Sequence, residues 1–367
     1  MRIAFDHQEF CLRAYGGIGR YFVRLAEQLI ALQQEVAIFA ALYQNRSLGE
    51  LPAGVVHGYA LCYPPKSGPV LQQMSRIISN RAIKRWRPQV VHETYYSRDG
   101  FAPKTCRLVV TVHDMIHELY RDLMPTHDKN ISQFKRMTVD RADHVICVSE
   151  NTRRDLINLF GTNDRKVSVV QHGYDRLPCN CQRDGQVVSA TRPYLFYVGA
   201  RDGYKNFAGF LRAVASSQSL KGDFDIVAFG GGRFTLSERR LFGELGFRQD
   251  QVRQLTGDDK LLGNFYQGAA AFVYPSLYEG FGLPPLEAMA HQCAVISSNT
   301  SSMPEVIGDA GEFFDPISND SIAEAIARVV YSSSRTRDLV ARGHKRLDLF
   351  SWNRCADQTL NVYRNIL

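Results

Sequence analysis

Short apolar strands alternate with helical segments along almost the whole chain, and this alternation limits the possible fold more than any other feature. It is typical of parallel sheets that carry helices on both faces. The strand candidates of the first half are 2–5, 35–40, 89–93, 108–113, 144–148 and 167–171. A second series follows at 194–198, 224–229, 252–255, 271–274 and 294–297. The pattern predicts an α/β chain with two successive doubly wound units.

The stretch 177–192 interrupts this pattern because it is polar and rich in turn-forming residues. We interpret it as a linker between two domains, which a chain of 367 residues is long enough to form. The first domain is then 1–176 and the second is 193–350. The remaining segment, 351–367, has the apolar spacing of an amphipathic helix.

Two helices of the first half can be placed from their own patterns. A helix beginning near Ile18 carries apolar residues at three- and four-residue spacing, namely Tyr21, Phe22, Leu25, Leu29 and Leu32. Ser149 precedes another helical segment and is well placed to cap its first turn.

Composition and charge narrow the class of protein. Charged residues are 22% and hydrophobic residues 45% of the chain, which is ordinary for a globular enzyme. No run approaches the roughly 18 apolar residues of a membrane helix, and the N-terminus has the pattern of a strand, not of a signal peptide. The net charge of +7 fits anionic partners such as sugar nucleotides, lipid pyrophosphates or an anionic membrane face. That charge is dispersed and accompanies no nucleic-acid motif, so we expect no nucleic-acid partner.

Eight cysteines are scattered along the chain without a CxxC pair. This usage is typical of reduced thiols, so we expect a cytoplasmic protein. Cys179 and Cys181 form the one close pair, which we interpret as loop residues between domains and not as a metal site.

One segment joins a predicted strand, a glycine turn and a helix, and it carries two glutamates. The strand 271–275 leads into Gly280 and Gly282, and Pro284 falls in the first helical turn, where proline is tolerated. Glu279 lies on the loop and Glu287 on the helix. Backbone N–H groups at a helix N-terminus favour anions such as a diphosphate. The alternative is an ordinary strand-turn-helix with two surface glutamates.

Further polar or glycine-rich segments follow predicted strands. They are Tyr15-Gly-Gly-Ile-Gly-Arg20, Thr111-Val-His113-Asp114, residues 145–152, and residues 196–206 around Gly199 and Lys205. In open parallel sheets, ligands bind outside the carboxyl ends of the strands. Because every one of these segments lies at such an end, the pattern indicates a ligand site.

Together these segments resemble glycosyltransferase family 4, a retaining family, and in particular its mannosyltransferases. The resemblance covers nearly the whole chain and includes the glutamate–seven residues–glutamate signature of Glu279 and Glu287. It implies the α/β GT-B fold, in which two doubly wound, Rossmann-like domains face each other across a cleft. It also implies that the acceptor binds the first domain, that the nucleotide-sugar binds the second, and that helix 351–367 crosses back onto the first.

The resemblance assigns roles to individual residues. Glu279 would hold hydroxyls of the transferred sugar, Glu287 would hold the ribose hydroxyls, and His113 would face the transferred sugar. Arg201 and Lys205 would neutralise the diphosphate leaving group, a role that metal ions have in other enzymes. The expected catalytic residues are therefore Glu279, His113, Arg201 and Lys205. The further donor-binding residues expected are Gly280, Phe281, Gly282, Leu283, Gly16, Gly17 and Gly199.

Plainer interpretations stay open for several of these residues. Arg201 and Lys205 could be surface cations on a loop, and Gly16, Gly17 and Gly19 could form a simple tight turn. His113 could be a satisfied core histidine.

We expect no metal and no cofactor. His113 and His117 have the spacing of a metal pair but lack a third ligand nearby in the sequence. Asp223-Phe-Asp225 has the metal-binding pattern of a different glycosyltransferase fold. It precedes a strand, at the wrong end for a site, so we interpret it as loop.

The segment 70–87 mixes arginines and lysine with isoleucines and a tryptophan. A helix here could dock on a membrane surface. The apolar face of its first half does not continue into the second half, so a basic patch near the acceptor is an equal alternative.

One departure from the family pattern lies after the signature helix, where Gln292 stands in place of the usual glycine. Glycine is the easy residue for a left-handed helix end, so Gln292 could strain that end. It has no catalytic role.

The sequence therefore favours a retaining, metal-independent glycosyltransferase. The expected reaction moves a hexose, with mannose from GDP-mannose favoured, to a glycan or lipid-linked saccharide in surface polysaccharide or lipopolysaccharide synthesis. Peripheral contact with an anionic membrane is a further expectation. The alternatives are a nucleotide-sugar epimerase or phosphorylase of the same fold, or a non-catalytic sugar-nucleotide-binding protein.

Overall fold

The structure is a computed structural model that describes residues 1–100, 102–103, 105–123, 130–179, 192–201 and 203–367. The chain divides into two compact units. Unit 1 consists of Met1–Gly173 and Ser351–Leu367, and unit 2 consists of Tyr174–Phe350. Most of the predicted linker, residues 180–191 with Cys181, lies outside the described residues.

Unit 1 is built on a seven-stranded parallel sheet. Its strands are β1 (Arg2–Phe5), β2 (Glu35–Tyr43), β3 (Val56–Ala60), β4 (Val90–Glu93), β5 (Arg107–Val112), β6 (His144–Cys147) and β7 (Val167–Val169), in the order β3-β2-β1-β4-β5-β6-β7. Its helices are α1 (Gln8–Leu12), α2 (Gly17–Ala31), α3 (Gly68–Trp86), α4 (Ile116–Leu119), α5 (Ile131–Arg141), α6 (Glu150–Phe160) and α15 (Trp352–Ile366).

Unit 2 repeats the architecture on a six-stranded parallel sheet. Its strands are β8 (Tyr194–Val198), β9 (Asp225–Phe229), β10 (Val252–Leu255), β11 (Ala271–Tyr274), β12 (Val295–Ser298) and β13 (Gly311–Phe314), in the order β10-β9-β8-β11-β12-β13. Its helices are α7 (Phe207–Ser216), α8 (Gln218–Asp223), α9 (Leu236–Glu244), α10 (Asp259–Gly268), α11 (Leu283–Ala290), α12 (Met303–Ile307), α13 (Asn319–Val330) and α14 (Ser333–Leu347).

The predicted strands are present in the predicted order, most with ends within one residue of the prediction. The exceptions are β2, which continues to Tyr43, and β7, which ends early at Val169. The prediction of two Rossmann-like units is therefore confirmed.

Two edge strands were not predicted. β3 has the sequence Val-His-Gly-Tyr-Ala and is half exposed, so it lacks the apolar run used to find the others. β13 has the sequence Gly-Glu-Phe-Phe, and Glu312 at its second position forms ion pairs with Arg328 and Arg335. Short, polar strands are expected at sheet edges, where one side lacks a neighbour.

Helix α2 shows how the sequence pattern becomes packing in unit 1. The residues Tyr21, Phe22, Leu25 and Leu29 are all buried against the sheet, as their spacing predicts. Helix α15 joins the same core through Trp352, Leu360 and Tyr363. The predicted cap of α6 is also confirmed, since Ser149 Oγ accepts the backbone N–H of Thr152 at 3.0 Å.

Among the described residues, none of the helices combines the length and the apolar composition needed to cross a membrane. The described cysteines are free thiols, at positions 11, 62, 106, 147, 179, 293 and 355.

Candidate active site

The carboxyl ends of β8 and β11 bring a cation and a carboxylate together in unit 2. Lys205 ends the short 3-10 turn Gly203–Lys205 after β8, and Glu279 lies in the loop after β11. Lys205 Nζ lies 2.7 Å from Glu279 Oε1, and the two side chains are only 17% and 10% exposed. Because β8 and β11 are neighbours in the sheet, two predicted site residues far apart in sequence meet at one edge.

Serine hydroxyls fix the loop that carries Glu279. Ser276 Oγ donates to Glu279 Oε1 at 2.6 Å, so this oxygen accepts from both Ser276 and Lys205. The backbone N–H of Glu279 donates to Ser301 Oγ at 2.9 Å. The hydroxyl oxygen of buried Ser302 lies 2.8 Å from the carbonyl oxygens of both Glu279 and Phe281, which share its one hydrogen. The carboxylate is therefore held at its own oxygen and through its backbone.

Aromatic rings surround the Lys205 ammonium group. Its Nζ lies 5.2 Å from the ring centre of Tyr204 and 5.9 Å from that of Tyr274. Burial raises the pKa of Tyr274 well above its usual value, and the Glu279 carboxylate raises it further. Tyr274 therefore keeps its proton, and the charges at this point are those of Lys205 and Glu279.

Glu287 lies on the second turn of α11 and is buried. Its Oε2 accepts the Tyr266 hydroxyl at 3.2 Å. Its backbone carbonyl lies 2.7 Å from His291 Nδ1, and the His291 ring stacks on Tyr266 with centres 5.7 Å apart. The Glu287 carboxylate is thus set in place by two neighbouring helices, α10 and α11.

The loop between Glu279 and Glu287 holds the other predicted donor contacts. Gly280 and Phe281 precede Gly282, which caps α11 with a φ of 109°, a value that favours glycine. Leu283 is the first helical residue, and the prolines follow in the first turn as predicted. Phe281 is buried, with its ring centre 5.8 Å from that of Phe350. The Phe281 side chain therefore packs within unit 2.

Arg201 is bonded within unit 2 and its side chain is only 3% exposed. Its Nε donates to Glu238 at 2.6 Å. Its Nη1 and Nη2 donate to the carbonyl oxygens of Gly230 and Gly232 at 2.8 and 2.9 Å. Gly231 between them has a φ of 68°, and a Cβ there would lie 2.5 Å from Arg201 Nη1. The guanidinium group therefore holds the glycine loop after β9. Gly199, which follows β8 and has a φ of 131°, adjoins the same loop.

His113 follows β5 in unit 1 and lies among aromatic side chains. Its ring centre is 5.4 Å from that of Tyr21 and 5.9 Å from that of His172. Its Nε2 is buried and has no hydrogen-bond partner among the described residues. Burial lowers the pKa of His113 to about 4, with Lys135 lowering it further and Asp114 opposing. The imidazole is therefore neutral at physiological pH.

A buried lysine holds the segment after His113. Lys135 is fully buried, and its Nζ donates to the carbonyl oxygen of Asp114 at 2.8 Å and to Glu118 at 2.7 Å. Asp114 also accepts the backbone N–H of Ile116 at 3.1 Å. The orientation of the His113–Asp114 segment thus depends on a cation that the sequence analysis did not single out.

Gly16 and Gly17 begin α2, as the glycine-rich segment predicts. Glu9 is buried beside them, and a Cβ on Gly16 would lie 3.4 Å from its Oε1. Burial raises the pKa of Glu9 to about 7, against the opposing effects of Arg13 and the Gly19 amide.

No group of three or more His, Cys, Asp or Glu side chains in the described ranges is arranged to hold a metal ion. The interpretation of Asp223-Phe-Asp225 as loop is wrong, because Asp223 ends α8 and Asp225 begins β9. Asp223 accepts the Tyr331 hydroxyl, and Asp225 lies near Arg192, Arg248 and Arg253.

Comparison with known proteins identifies the family. "Glycosyltransferase Family 4" matches residues 15–176, and "Glycosyl transferases group 1" matches residues 182–346. Alpha-maltose-1-phosphate synthase of Mycolicibacterium smegmatis is 30% identical over 400 aligned residues that cover 100% of both chains. The chain belongs to glycosyltransferase family 4. O-antigen chain mannosyltransferase B of Escherichia coli is 28% identical over 374 residues, which cover 95% of this chain and 96% of the relative.

Solved structures share the fold. Sucrose-phosphate synthase of Thermosynechococcus elongatus has a TM-score of 0.79 at 20% identity and covers 100% of this chain and 99% of its own. WaaG, a glycosyltransferase involved in lipopolysaccharide biosynthesis, has a TM-score of 0.73 at 16% identity. The match covers 98% of this chain and 99% of WaaG. The expected GT-B fold class is therefore confirmed, and the chain is a glycosyltransferase.

The sequence patterns did not indicate several residues that shape the candidate site. Ser276, Ser301 and Ser302 fix the Glu279 loop, and Lys135 fixes the segment after His113. The serines had one usable signal, because Ser301 and Ser302 follow β12, which neighbours β11 and ends at the same sheet edge. Lys135 lies within a helix and had no such signal.

Gln292 adopts a φ of 58° after α11, in the left-handed region where glycine is favoured. We expect Gln292→Gly to raise the free energy of unfolding by about 1 kcal/mol, because it removes the steric cost of the side chain there. Chemical denaturation measures the change. Gln292→Ala is the control, since it shortens the side chain but keeps the Cβ. Equal stability of the glycine and alanine variants would contradict strain at this position.

Proposed function

We propose that this family 4 enzyme is a retaining glycosyltransferase that moves a hexose from a nucleotide-diphospho-sugar to a glycan or lipid-linked saccharide. GDP-mannose is the proposed donor, and mannose is the hexose that is transferred. The proposed setting is surface polysaccharide or lipopolysaccharide synthesis. The observation that carries the proposal is the Lys205–Glu279 pair at the carboxyl ends of β8 and β11.

The relatives support this donor and this setting. O-antigen chain mannosyltransferase B and the serotype-specific mannosyltransferase WbdA, both of Escherichia coli, match most of the chain. The Anabaena protein Alr3699/HepE, which shares the fold, has been solved with UDP and glucose. These comparisons favour sugar transfer over epimerisation, over phosphorolysis and over binding without catalysis.

In the proposed reaction, Lys205 neutralises the diphosphate as the glycosidic bond breaks. An ammonium group has three N–H donors, so Lys205 can contact Glu279 and a phosphate oxygen together. Amide groups at the start of α11 add positive potential. Arg201 contributes indirectly, by holding the glycine loop that follows β9. Because these groups meet the diphosphate charge, we expect activity to survive EDTA.

Glu279 is proposed to hold the transferred sugar and not to attack it. One of its oxygens already accepts from Lys205 and Ser276, which fixes the carboxylate as a hydrogen-bond acceptor. The acceptor hydroxyl then attacks from the face that the diphosphate leaves, and the departing diphosphate takes its proton. The neutral imidazole of His113 is proposed to contact the transferred sugar. Gly16 and Gly17 are proposed to contact the phosphates of the donor.

Thermal stabilisation by a panel of nucleotide-sugars tests the proposal, because a ligand that binds the native state raises its apparent stability. We expect GDP-mannose to give the largest shift, and a transfer assay with that donor to release GDP. A product that is an epimerised nucleotide-sugar or a sugar phosphate would contradict transfer.

Replacing Glu287 tests the nucleotide site separately. We expect Glu287→Gln to weaken binding of the nucleoside diphosphate roughly 10- to 100-fold, because hydrogen bonds from ribose hydroxyls to a charged group contribute about 1.5–3 kcal/mol. Titration calorimetry measures the affinity. Glu244→Gln, at the exposed end of α9, is the control. Unchanged affinity in Glu287→Gln would remove this residue from the ribose role.

The free thiols fit a cytoplasmic enzyme. We propose peripheral contact with an anionic membrane on the inner face, supported by the exposed apolar and basic side chains of α3.

A further inference from the structure

Unit 1 contains a groove of about 770 Å³ that none of the predicted donor contacts lines. Its walls come from α1, the first half of α3, the loop after β4 and the start of α5. The groove adjoins the carboxyl ends of β1 and β4, which is the edge where open parallel sheets bind ligands.

The charge of the groove is positive. Arg13, Arg76 and Arg98 line it, with Asp99 as the one carboxylate. Arg76 pairs with Asp99 at 2.5 Å, which offsets both charges. The side chains of Arg13 and Arg98 form no ion pair or hydrogen bond with any residue that the structure describes. Two exposed guanidinium groups on one groove suit a ligand with more than one negative charge.

The wall that carries Arg98 is a fixed loop. Arg141 donates to the carbonyl oxygen of Ser97 at 2.7 Å and forms an ion pair with fully buried Glu93 at 2.5 Å. The backbone N–H of Ser97 donates to Thr138 Oγ1 at 3.1 Å. Tyr95 and Tyr96 on the same loop also line the groove, and their ring centres are 4.8 Å apart. Aromatic rings beside polar side chains are suited to a sugar ring.

Helix α3 carries an apolar surface next to this groove. Ser75, Ser79 and Ile83 face inward and are buried. On the opposite side, at helical spacing, the exposed apolar side chains are Val70 (63%), Met74 (47%), Ile77 (44%) and Ile78 (48%). The same outward side continues with the exposed cations Arg81, Lys84 and Arg85. We call this outward side of α3 the α3 stripe.

The α3 stripe resolves the irregular pattern seen in the sequence. The same side of α3 faces outward along the whole helix. Its exposed residues are apolar in the first half and basic in the second half. Apolar side chains followed by cations match the acyl region and the anionic headgroups of a lipid leaflet.

We propose that the groove binds the acceptor as a saccharide joined to a lipid through a diphosphate, with the diphosphate on Arg13 and Arg98 and the lipid along the α3 stripe. This inference rests on the proposed function and names the acceptor class of the same enzyme. The saccharide lies against the half-buried ring of Tyr95, which packs on the ring of buried Tyr96. Charge and aromatic rings occur together in the groove, and the α3 stripe lies on the outward side of the helix that forms one of its walls. A diphosphate-linked saccharide lipid needs all three.

Binding of farnesyl diphosphate, a short lipid diphosphate without sugar, tests this site in the full chain. We expect Arg13→Gln and Arg98→Gln each to weaken its binding by about tenfold, because each removes a charge-assisted contact. Arg240→Gln on α9 is the control and should bind like the wild type. Normal binding in both groove variants would overturn the proposal.

Two further binding measurements distinguish recognition of the lipid from recognition of the diphosphate. Inorganic pyrophosphate should bind more weakly than farnesyl diphosphate, and Met74→Ser should weaken only the latter. Equal binding of both compounds by the wild type would show a free-phosphate site and overturn the lipid part. Binding of GDP to the wild type reports on the donor site alone. Absence of GDP binding therefore contradicts the proposed function, whereas indifference of farnesyl diphosphate to Arg13 and Arg98 contradicts only the acceptor site.

Discussion

Replacing Lys205 with methionine should lower kcat by about 10²- to 10³-fold, with a much smaller change in affinity for the nucleotide-sugar. Negative charge on the diphosphate grows as the sugar leaves, so the cation stabilises the transition state more than the bound substrate. Methionine keeps an unbranched apolar stem between Tyr204 and Tyr274 while removing the charge. Steady-state kinetics should therefore show equal losses in kcat and in kcat/KM.

Lys260→Met is the matched control for this variant. Lys260 is an exposed cation at the start of α10, in the same unit, and its replacement should leave both constants unchanged. A Lys205→Met enzyme that keeps its kcat and shows only a higher KM would contradict the transition-state role.

Glu279→Gln should lower kcat/KM by about 10²-fold or more, because an amide replaces the charged acceptor proposed for the sugar hydroxyls. It should also lower the free energy of unfolding by about 1–3 kcal/mol, because Lys205 loses its counter-charge in a largely buried position. Activity assays and chemical denaturation measure the two effects separately.

The double variant Lys205→Met/Glu279→Gln shows whether the pair acts as a unit. It should be more stable than Glu279→Gln alone, because no unpaired charge remains at this point. Fully additive losses of stability would mean that the two residues contribute independently despite their 2.7 Å contact.

Most of the fold could be predicted because the central strands are apolar runs with clear ends. β8 and β11 begin and end where the sequence predicts. β3 could not be found because it is half exposed at the sheet edge and lacks an apolar run. β13 is largely buried, but glycine and glutamate occupy its first two positions and leave an apolar run of only two residues.

The candidate site was only partly predictable. Lys205 and Glu279 stand in recognisable segments, and the sheet order brings them together. The surroundings of Arg201 depend on contacts with the glycine loop after β9 and with Glu238, which no local pattern reveals. The serines that hold Glu279 carry no charge and come from two loops, so their role appears only once β11 and β12 are paired.

The α3 stripe shows a different limit. Its residues were visible in the sequence, but a change from apolar to basic along one side looked like a break in the pattern. Burial of Ser75 and Ser79 shows which side of the helix faces inward. The sequence could not indicate this side, because serines are polar and an inward side is recognised by apolar residues. Their hydroxyls accept the backbone N–H groups of Leu42 and Ala41, both at 3.1 Å, which explains why serines are buried here.

Proton NMR of the transfer product tests the central claim most directly. GDP-mannose carries its sugar in the α configuration, and a retaining enzyme that uses Lys205 and backbone amides to meet the diphosphate should form an α-linked product at an unchanged rate in EDTA. A β-linked product would contradict retention. Loss of activity in EDTA that added magnesium or manganese restores would contradict the role given to Lys205.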